Sequence, residues 1–420
     1  MSEITKHTLA NGMTVLLQEV HSAPLITWVV LYRVGSRNER TGQTGVSHWV
    51  EHMMFKGTEK YPASILDREI DRLGGEWNAF TSYDYTAYYE KLPADKIDFA
   101  LDLEADRMVN ATFEKSEVES ERTVIISERQ GSENYPLYWL GEEVNAAAFR
   151  VHGYHHSIIG DLTDLQTMTR DDLYGHYRAH YMPNNAIGVA VGAFDTSEML
   201  KKIREYYETI PAGTLPKLFS RPEPAQQGER RVTVNRPSNN AFVEISYHVP
   251  PATHRDWFAV KMLDSILTGP GGGIGNNTTR LYKALVESEI AASISGGQSD
   301  SLDPFLYSIT LFLRDGRTPQ EAEAAFDAVI ARVLDEGVTE AELARAKKQV
   351  RAAYAYSMER SSSQAFALAR AENRDSFKWV VDYPHRLEAV TLDEILDAAR
   401  RYLRASNRVV GHLIPSGGQE

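Results

Sequence analysis

His48-Trp49-Val50-Glu51-His52-Met53-Met54-Phe55-Lys56-Gly57 finds a counterpart in Val260-Lys261-Met262-Leu263-Asp264-Ser265-Ile266-Leu267-Thr268-Gly269 when the closing glycines are superposed. Both stretches read as helix, and each follows a β-prone run, LITWVVLYRV over 25–34 and NAFVEISYHV over 240–249. A long charged helix comes late in each half, over 114–130 and again over 340–358. The halves therefore read as weak repeats of one supersecondary plan. In this register Val260, Leu263 and Asp264 stand opposite His48, Glu51 and His52, so whatever the polar trio does belongs to the first half.

Outward from these anchors, the spacing predicts a strand over 13–17 after the Asn11-Gly12 turn, and helices over 45–55 and 63–73. Gly74-Gly75 stops the second of these, and 77–89 is strand-like again. Helices follow over 93–109 and 114–130, then a short buried strand over 185–191 and a helix over 256–267. The proline-rich, apolar-poor stretch near 212–230 reads as a linker. The expected fold class is α+β, with two similar domains of 1–215 and 231–420 joined by a linker over 216–230. Each would be a mainly antiparallel sheet flanked by helices.

Composition narrows the function. With 420 residues, 42% of them hydrophobic and 25% charged, the chain can build sizeable cores and is neither disordered nor membrane-like. Lys+Arg 45 against Asp+Glu 58 gives a net charge of −13, the wrong balance for binding nucleic acid. The absence of cysteine excludes disulfides, thiol catalysis and cysteine-ligated metal, leaving His, Asp and Glu as metal donors. No apolar run approaches the ~18–20 residues needed to cross a bilayer. The N-terminus enters strand-like sequence without a leader pattern, so the expectation is a soluble chain, cytosolic or with a leader removed.

On a helix turning about 100° per residue, His48 and His52 lie about 40° apart, with Glu51 about 60° to the other side of His48. Val46, Trp49, Val50, Met53 and Met54 fill the opposite arc. Such a helix buries its apolar face while aiming two imidazoles and a carboxylate at one point. Two histidines at i and i+4 can share a zinc ion, and the carboxylate can hold its water. A catalytic zinc needs a third protein ligand from another element, and Glu128 is the candidate. It lies in EKSEVESERTVIISERQ, where Glu121 precedes it by two helical turns on the same face.

These residues resemble the inverted-zincin metallopeptidases, the pitrilysin, insulin-degrading-enzyme and mitochondrial-processing-peptidase family. The family's motif is H-x-x-E-H with a ligand Glu some 70–80 residues later and another Glu seven positions before that one. His48, Glu51, His52, Glu121 and Glu128 match each element over a chain whose duplicated halves also fit. The resemblance implies zinc on His48, His52 and Glu128, Glu51 as general base, and Glu121 fixing an imidazole's tautomer. The segment LGGEWNAFTS over 73–82 resembles the family's strand beside the zinc. Asn78, Ala79 and Phe80 would pair there with an extended peptide substrate. The length fits the short bacterial and mitochondrial branch, in which each chain is half of a two-subunit clam shell.

One element departs from the family. Members that clamp substrate with the second half place an Arg and a Tyr seven residues apart, where this chain has Val286 and Ser293. Neither can donate a charge-assisted or phenolic hydrogen bond to a developing oxyanion. The resemblance therefore implies a related second subunit that supplies the Arg/Tyr pair. A homodimeric peptidase, a non-catalytic assembly subunit and a metal-dependent binding module are the competing readings. Paired bacterial members are often exported, which favours the periplasm over the cytoplasm. The glycine-rich run over 269–275 lacks the G-K-[ST] of a phosphate loop and reads as a plain loop. His155-His156 reads as a structural pair.

Overall fold

The computed structural model describes residues 2–217, 221–270 and 277–416. The glycine-rich run from 271 and part of the expected linker, 218–220, lie outside the described residues. In chain order the first elements are β1 (Ile4–Thr8), β2 (Thr14–Glu19), β3 (Leu25–Tyr32), α1 (Val46–Met53), α2 (Ala63–Arg72), β4 (Glu76–Thr81) and β5 (Thr86–Pro93). Helices α3 (Ile97–Asn110), α4 (Lys115–Glu133), α5 (Pro136–Ala148), α6 (Leu162–Thr167) and α7 (Arg170–His180) precede β6 (Ala186–Gly192) and α8 (Thr196–Tyr207). Then come β7 (Arg230–Pro237), β8 (Phe242–Val249), α9 (Asp256–Leu267), β9 (Ala291–Gln298) and β10 (Phe305–Leu313). The chain ends with α10 (Pro319–Glu336), α11 (Glu340–Ser357), α12 (Ser361–Arg374), α13 (Lys378–Ala389), α14 (Leu392–Tyr402) and β11 (Arg408–Ser416).

The repeat is visible in the sheets. One has the order β1-β2-β6-β3-β5-β4 and the other β7-β11-β8-β10-β9. In each a single parallel pair, β2–β6 or β7–β11, interrupts otherwise antiparallel pairing. The fold is thus α+β with two sheets flanked by helices, and the β-prone runs over 25–34 and 240–249 supply β3 and β8.

Two compact units result, each drawn from three stretches of chain. The first comprises Met1–Gln130, His156–Arg221 and Ser357–Val381; the second Gly131–His155, Pro222–Tyr356 and Asp382–Glu420. This differs from the expected division into 1–215 and 231–420, and the cause is an exchange of helices. Helix α12 packs on β6 and β3 of the first unit, whereas α5 packs on β7, β11 and β8 of the second. Neither helix was read from the sequence, and an amphipathic pattern alone would not say whose sheet it covers.

A second correction concerns 77–89, which is not one strand. Ser82 turns the chain: its N–H donates to Tyr85 O at 2.8 Å and its Oγ accepts the Asp84 N–H at 3.1 Å. The result is the hairpin β4–β5, with β4 at the edge of its sheet. Gly74 makes this edge possible. It takes φ +73° after α2, and the Gly75 N–H to Ile70 O and Gly74 N–H to Asp71 O bonds close the helix end.

In the first unit, Trp28, Val30, Tyr32 and Tyr88 of the sheet meet Trp49, Val50 and Met53 of α1 in one buried core. Burying side chains such as Val50 and Met53 stabilises by about 1.5–3 kcal/mol each, which seats the helix and leaves its polar face free. On the other sheet face Phe366 of α12 meets Phe80 and Tyr89, with ring centroids 5.3 and 5.0 Å apart.

Candidate metal centre

Helix α1 is set in place by residues far from its own sequence. Gly45 precedes it at φ +86°, and a Cβ there would come within 2.3 Å of Ile159 O. Buried Glu39 then caps the helix: its two carboxylate oxygens accept the N–H groups of Gly45 and Ser47 at 2.7 and 2.8 Å. These are donors that no intrahelical carbonyl can satisfy. Burial pushes the Glu39 carboxyl up to about 8, against the opposing pull of the two backbone donors. Asp164 holds the approach to the helix by accepting from Gly42 N, Thr44 N and Thr44 Oγ1.

The helix presents His48 and His52 with ring centroids 4.6 Å apart. From α4, Glu128 brings Oε2 to 3.8 Å from His48 Nε2 and 3.5 Å from His52 Nε2. One donor atom from each of the three lies within 4.8 Å of the others, and among the described residues this is the one such group of three. Zinc bonds of 2.0–2.2 Å place tetrahedral donors about 3.3–3.5 Å apart, so a small inward movement would close the set. The donors are neutral nitrogen and carboxylate oxygen, the chemistry that zinc accepts in the absence of cysteine. The residues present therefore fit zinc.

Electrostatics prepare the two imidazoles differently. Burial, reinforced by His52 beside it, drives the His48 pKa down to about 3, which keeps the ring in its neutral, ligating form. Its Nδ1 is buried with no hydrogen-bond partner among the described residues. His52 is also opposed by burial, but Glu121, Glu51 and Glu128 outweigh it and the net shift is upward. Glu121 Oε1 lies 2.7 Å from His52 Nδ1. Although burial works the other way, the bonds from His52 and Lys56 hold the Glu121 carboxyl below its ordinary value. An ionised Glu121 accepts the hydrogen bond from Nδ1–H, keeping the proton on Nδ1 and leaving Nε2 facing Glu128.

Glu51 is 7% exposed, and burial, with Glu128 adding, raises its carboxyl. Its Oε2 accepts the Thr81 hydroxyl at 2.6 Å. The structure thus brings His48, Glu51, His52, Glu121 and Glu128 to one place. Asn78, Ala79 and Phe80 lie on edge strand β4, which packs against α1. Asn78 Oδ1 accepts the Ala79 N–H at 2.8 Å.

Sequence reasoning missed Glu39, Asp164, Thr81 and Lys56. Only Lys56, four residues after His52 in the turn that follows α1, carried a readable signal, and its ammonium pairs with Glu121. His155 and His156 are satisfied locally, their Nδ1 atoms facing His152 O and Ser157 O at 2.8 and 3.0 Å. In the second unit, Val286 ends a short π-helical turn and Ser293 is exposed on β9. Arg280, a little upstream, is bound bidentately to Glu342 at 2.8 Å through both contacts. Among the described residues, no helix is long and apolar enough to cross a membrane.

Two repeated α+β halves with a His/His/Glu donor set, found among the described residues on the first alone, form the architecture of a metallopeptidase. Comparison with known proteins agrees. Residues 14–162 match the model described as Insulinase (Peptidase family M16), and residues 167–350 match Peptidase M16 inactive domain. The chain is 29% identical to the zinc protease PqqE of Helicobacter pylori, covering 99% of this chain and 94% of that one. It is 30% identical to an uncharacterized zinc protease of Mycobacterium bovis, covering 94% and 90%. A crystal structure of a protease from Helicobacter pylori matches with a TM-score of 0.93 at 26% identity, covering 99% of this chain and 100% of that one. The chain belongs to the M16 peptidase family.

Proposed function

We propose that this chain is the zinc-bearing subunit of an endopeptidase that hydrolyses peptides or unfolded segments in a chamber formed with a related second subunit. The observation that carries the reading is the convergence of His48 Nε2, His52 Nε2 and Glu128 Oε2 beside the buried Glu51 carboxylate. Zinc held by His48, His52 and Glu128 supplies a Lewis acid that makes water nucleophilic near neutral pH. Glu51 takes a proton from the attacking water and returns it to the leaving amine, and its raised affinity for protons suits both transfers. Glu121 holds His52 in one tautomer. An extended peptide adds to the free edge of β4 along Asn78, Ala79 and Phe80, so main-chain pairing orients it without selecting a side chain.

The partner subunit is inferred from missing donors. Val286 and Ser293 offer a developing oxyanion neither a guanidinium nor a phenol, and Arg280 is committed to Glu342. Losing such a donor costs on the order of 100- to 1000-fold in rate, so the chain alone would be feeble. We place the protein in the periplasm; cell fractionation that finds it in the cytoplasm would contradict this. The function is tested by cleavage of an unstructured fluorogenic peptide, with and without the candidate partner. Activity confined to the mixture supports a split site. Full activity from this chain alone would favour the homodimeric peptidase, and no cleavage in either case would favour the assembly subunit or, where zinc and peptide still bind, the metal-dependent binding module.

A further inference from the structure

We infer that Thr81 is a positioning residue for the reaction: its hydroxyl fixes the Glu51 carboxylate and ties edge strand β4 to the base. The inference rests on the reading of Glu51 as base given above. Thr81 closes β4 opposite Thr86 of β5. Strand alternation puts its side chain on the face of Ala79, opposite that of Asn78 and Phe80. A helix–strand contact between α1 and β4 brings that face to Glu51.

A hydroxyl carries one proton, and here its destination can be assigned. Thr81 Oγ1 lies 2.6 Å from Glu51 Oε2 and 3.5 Å from Thr86 Oγ1. Thr86 donates its own proton to Val34 O at 3.0 Å and has none left for Thr81. The Thr81 proton therefore goes to Glu51, in the short form typical of a hydroxyl donating to a carboxylate. Among the described residues, no other side chain hydrogen-bonds to Glu51. With the carboxylate almost excluded from solvent, that bond sets how it is turned. A misplacement of about 1 Å in such a group can cost on the order of 100-fold in rate.

This arrangement gives one residue two duties. The strand offered to a peptide ends in the residue that holds the base, so docking on β4 and the geometry of proton transfer are mechanically linked. Lys56 and Glu121 act on His52 and do not touch Glu51, which makes the two supports separable by mutation.

The test compares Thr81→Val, which keeps the shape and removes the hydroxyl, with Thr81→Ser, which keeps the hydroxyl. Should the valine variant not fold, Thr81→Ala replaces it, since alanine and serine differ by the hydroxyl alone. Cleavage kinetics are measured on the active assembly, with zinc content and melting temperature determined on the same samples. The expected result is a fall in kcat of roughly 10- to 100-fold without the hydroxyl, KM within about twofold, unchanged zinc content, and serine close to wild type. A wild-type kcat in the valine or alanine variant would overturn the inference. So would a loss confined to KM, or serine as impaired as alanine. Wild-type protein without zinc-dependent cleavage would instead refute the underlying reading and take the Thr81 assignment with it.

Discussion

Glu121 Oε1 lies 2.7 Å from His52 Nδ1, and this bond selects the imidazole nitrogen left for a metal. His48 has no equivalent: its Nδ1 is buried and unpartnered among the described residues. The two histidines are thus unequal, one oriented by a carboxylate and one held by packing alone. Replacing Glu121 with Gln should weaken zinc binding by roughly 10- to 100-fold. Competition with a chelator of known affinity measures it, and unchanged affinity would remove Glu121 from the account.

Glu39 is expected to make stability depend on pH. Its pKa is raised to about 8 in the fold, above the ordinary carboxylate value, so the folded state binds more protons than the unfolded state between those limits. Its contribution is fully present below the ordinary value and is lost as pH rises through about 8. Denaturant melts at pH 5, 6.5 and 8 should show stability falling with pH, by at most about 1.4 kcal/mol per unit from this group. Glu39→Gln should flatten that part of the slope. An identical slope in the variant would show that burial does not hold the proton there.

Gly45→Ala should be severely destabilising, by about 2–4 kcal/mol. The position needs φ +86°, and a methyl group would meet Ile159 O at 2.3 Å. Thermal melting should show a clear drop, with weaker zinc binding as α1 shifts. Gly131, where a Cβ meets nothing within 4 Å, is the control and should tolerate the same change far better.

The parts of this protein legible in the sequence are those that repeat or that share one element. His48 and His52 sit one turn apart on α1, with Trp49, Val50 and Met53 behind them, so a single helical period displays the pair. Helix α9 was predicted over the same residues it occupies, 256–267, because its apolar residues run nearly unbroken. The hairpin at Ser82–Tyr85 was hidden among aromatic, β-prone residues, where a turn made by Ser82 Oγ leaves no Gly or Pro to mark it. Glu39, Asp164 and Thr81 act across the fold on residues remote in sequence, and a lone polar side chain has no period to betray it. The exchange of α5 and α12 was illegible for a related reason, since amphipathicity specifies a buried face but not the sheet that buries it.

Zinc should also stabilise the fold. A metal that binds the folded state alone adds about 2.7 kcal/mol at 100 times its Kd. Chelation should therefore lower the melting temperature of wild-type protein and leave His48→Ala unmoved. A response to chelator that persists in His48→Ala would place the stabilising metal elsewhere.

Zinc content and peptide cleavage, measured on the same preparations of wild type, Glu51→Gln and Glu128→Ala with the candidate partner present, test the central claim most directly. The account predicts one zinc and cleavage in wild type, and one zinc with turnover reduced roughly 100- to 10,000-fold in Glu51→Gln. In Glu128→Ala it predicts neither retained zinc nor cleavage. Wild-type turnover in Glu51→Gln, or zinc and activity both retained in Glu128→Ala, would contradict it.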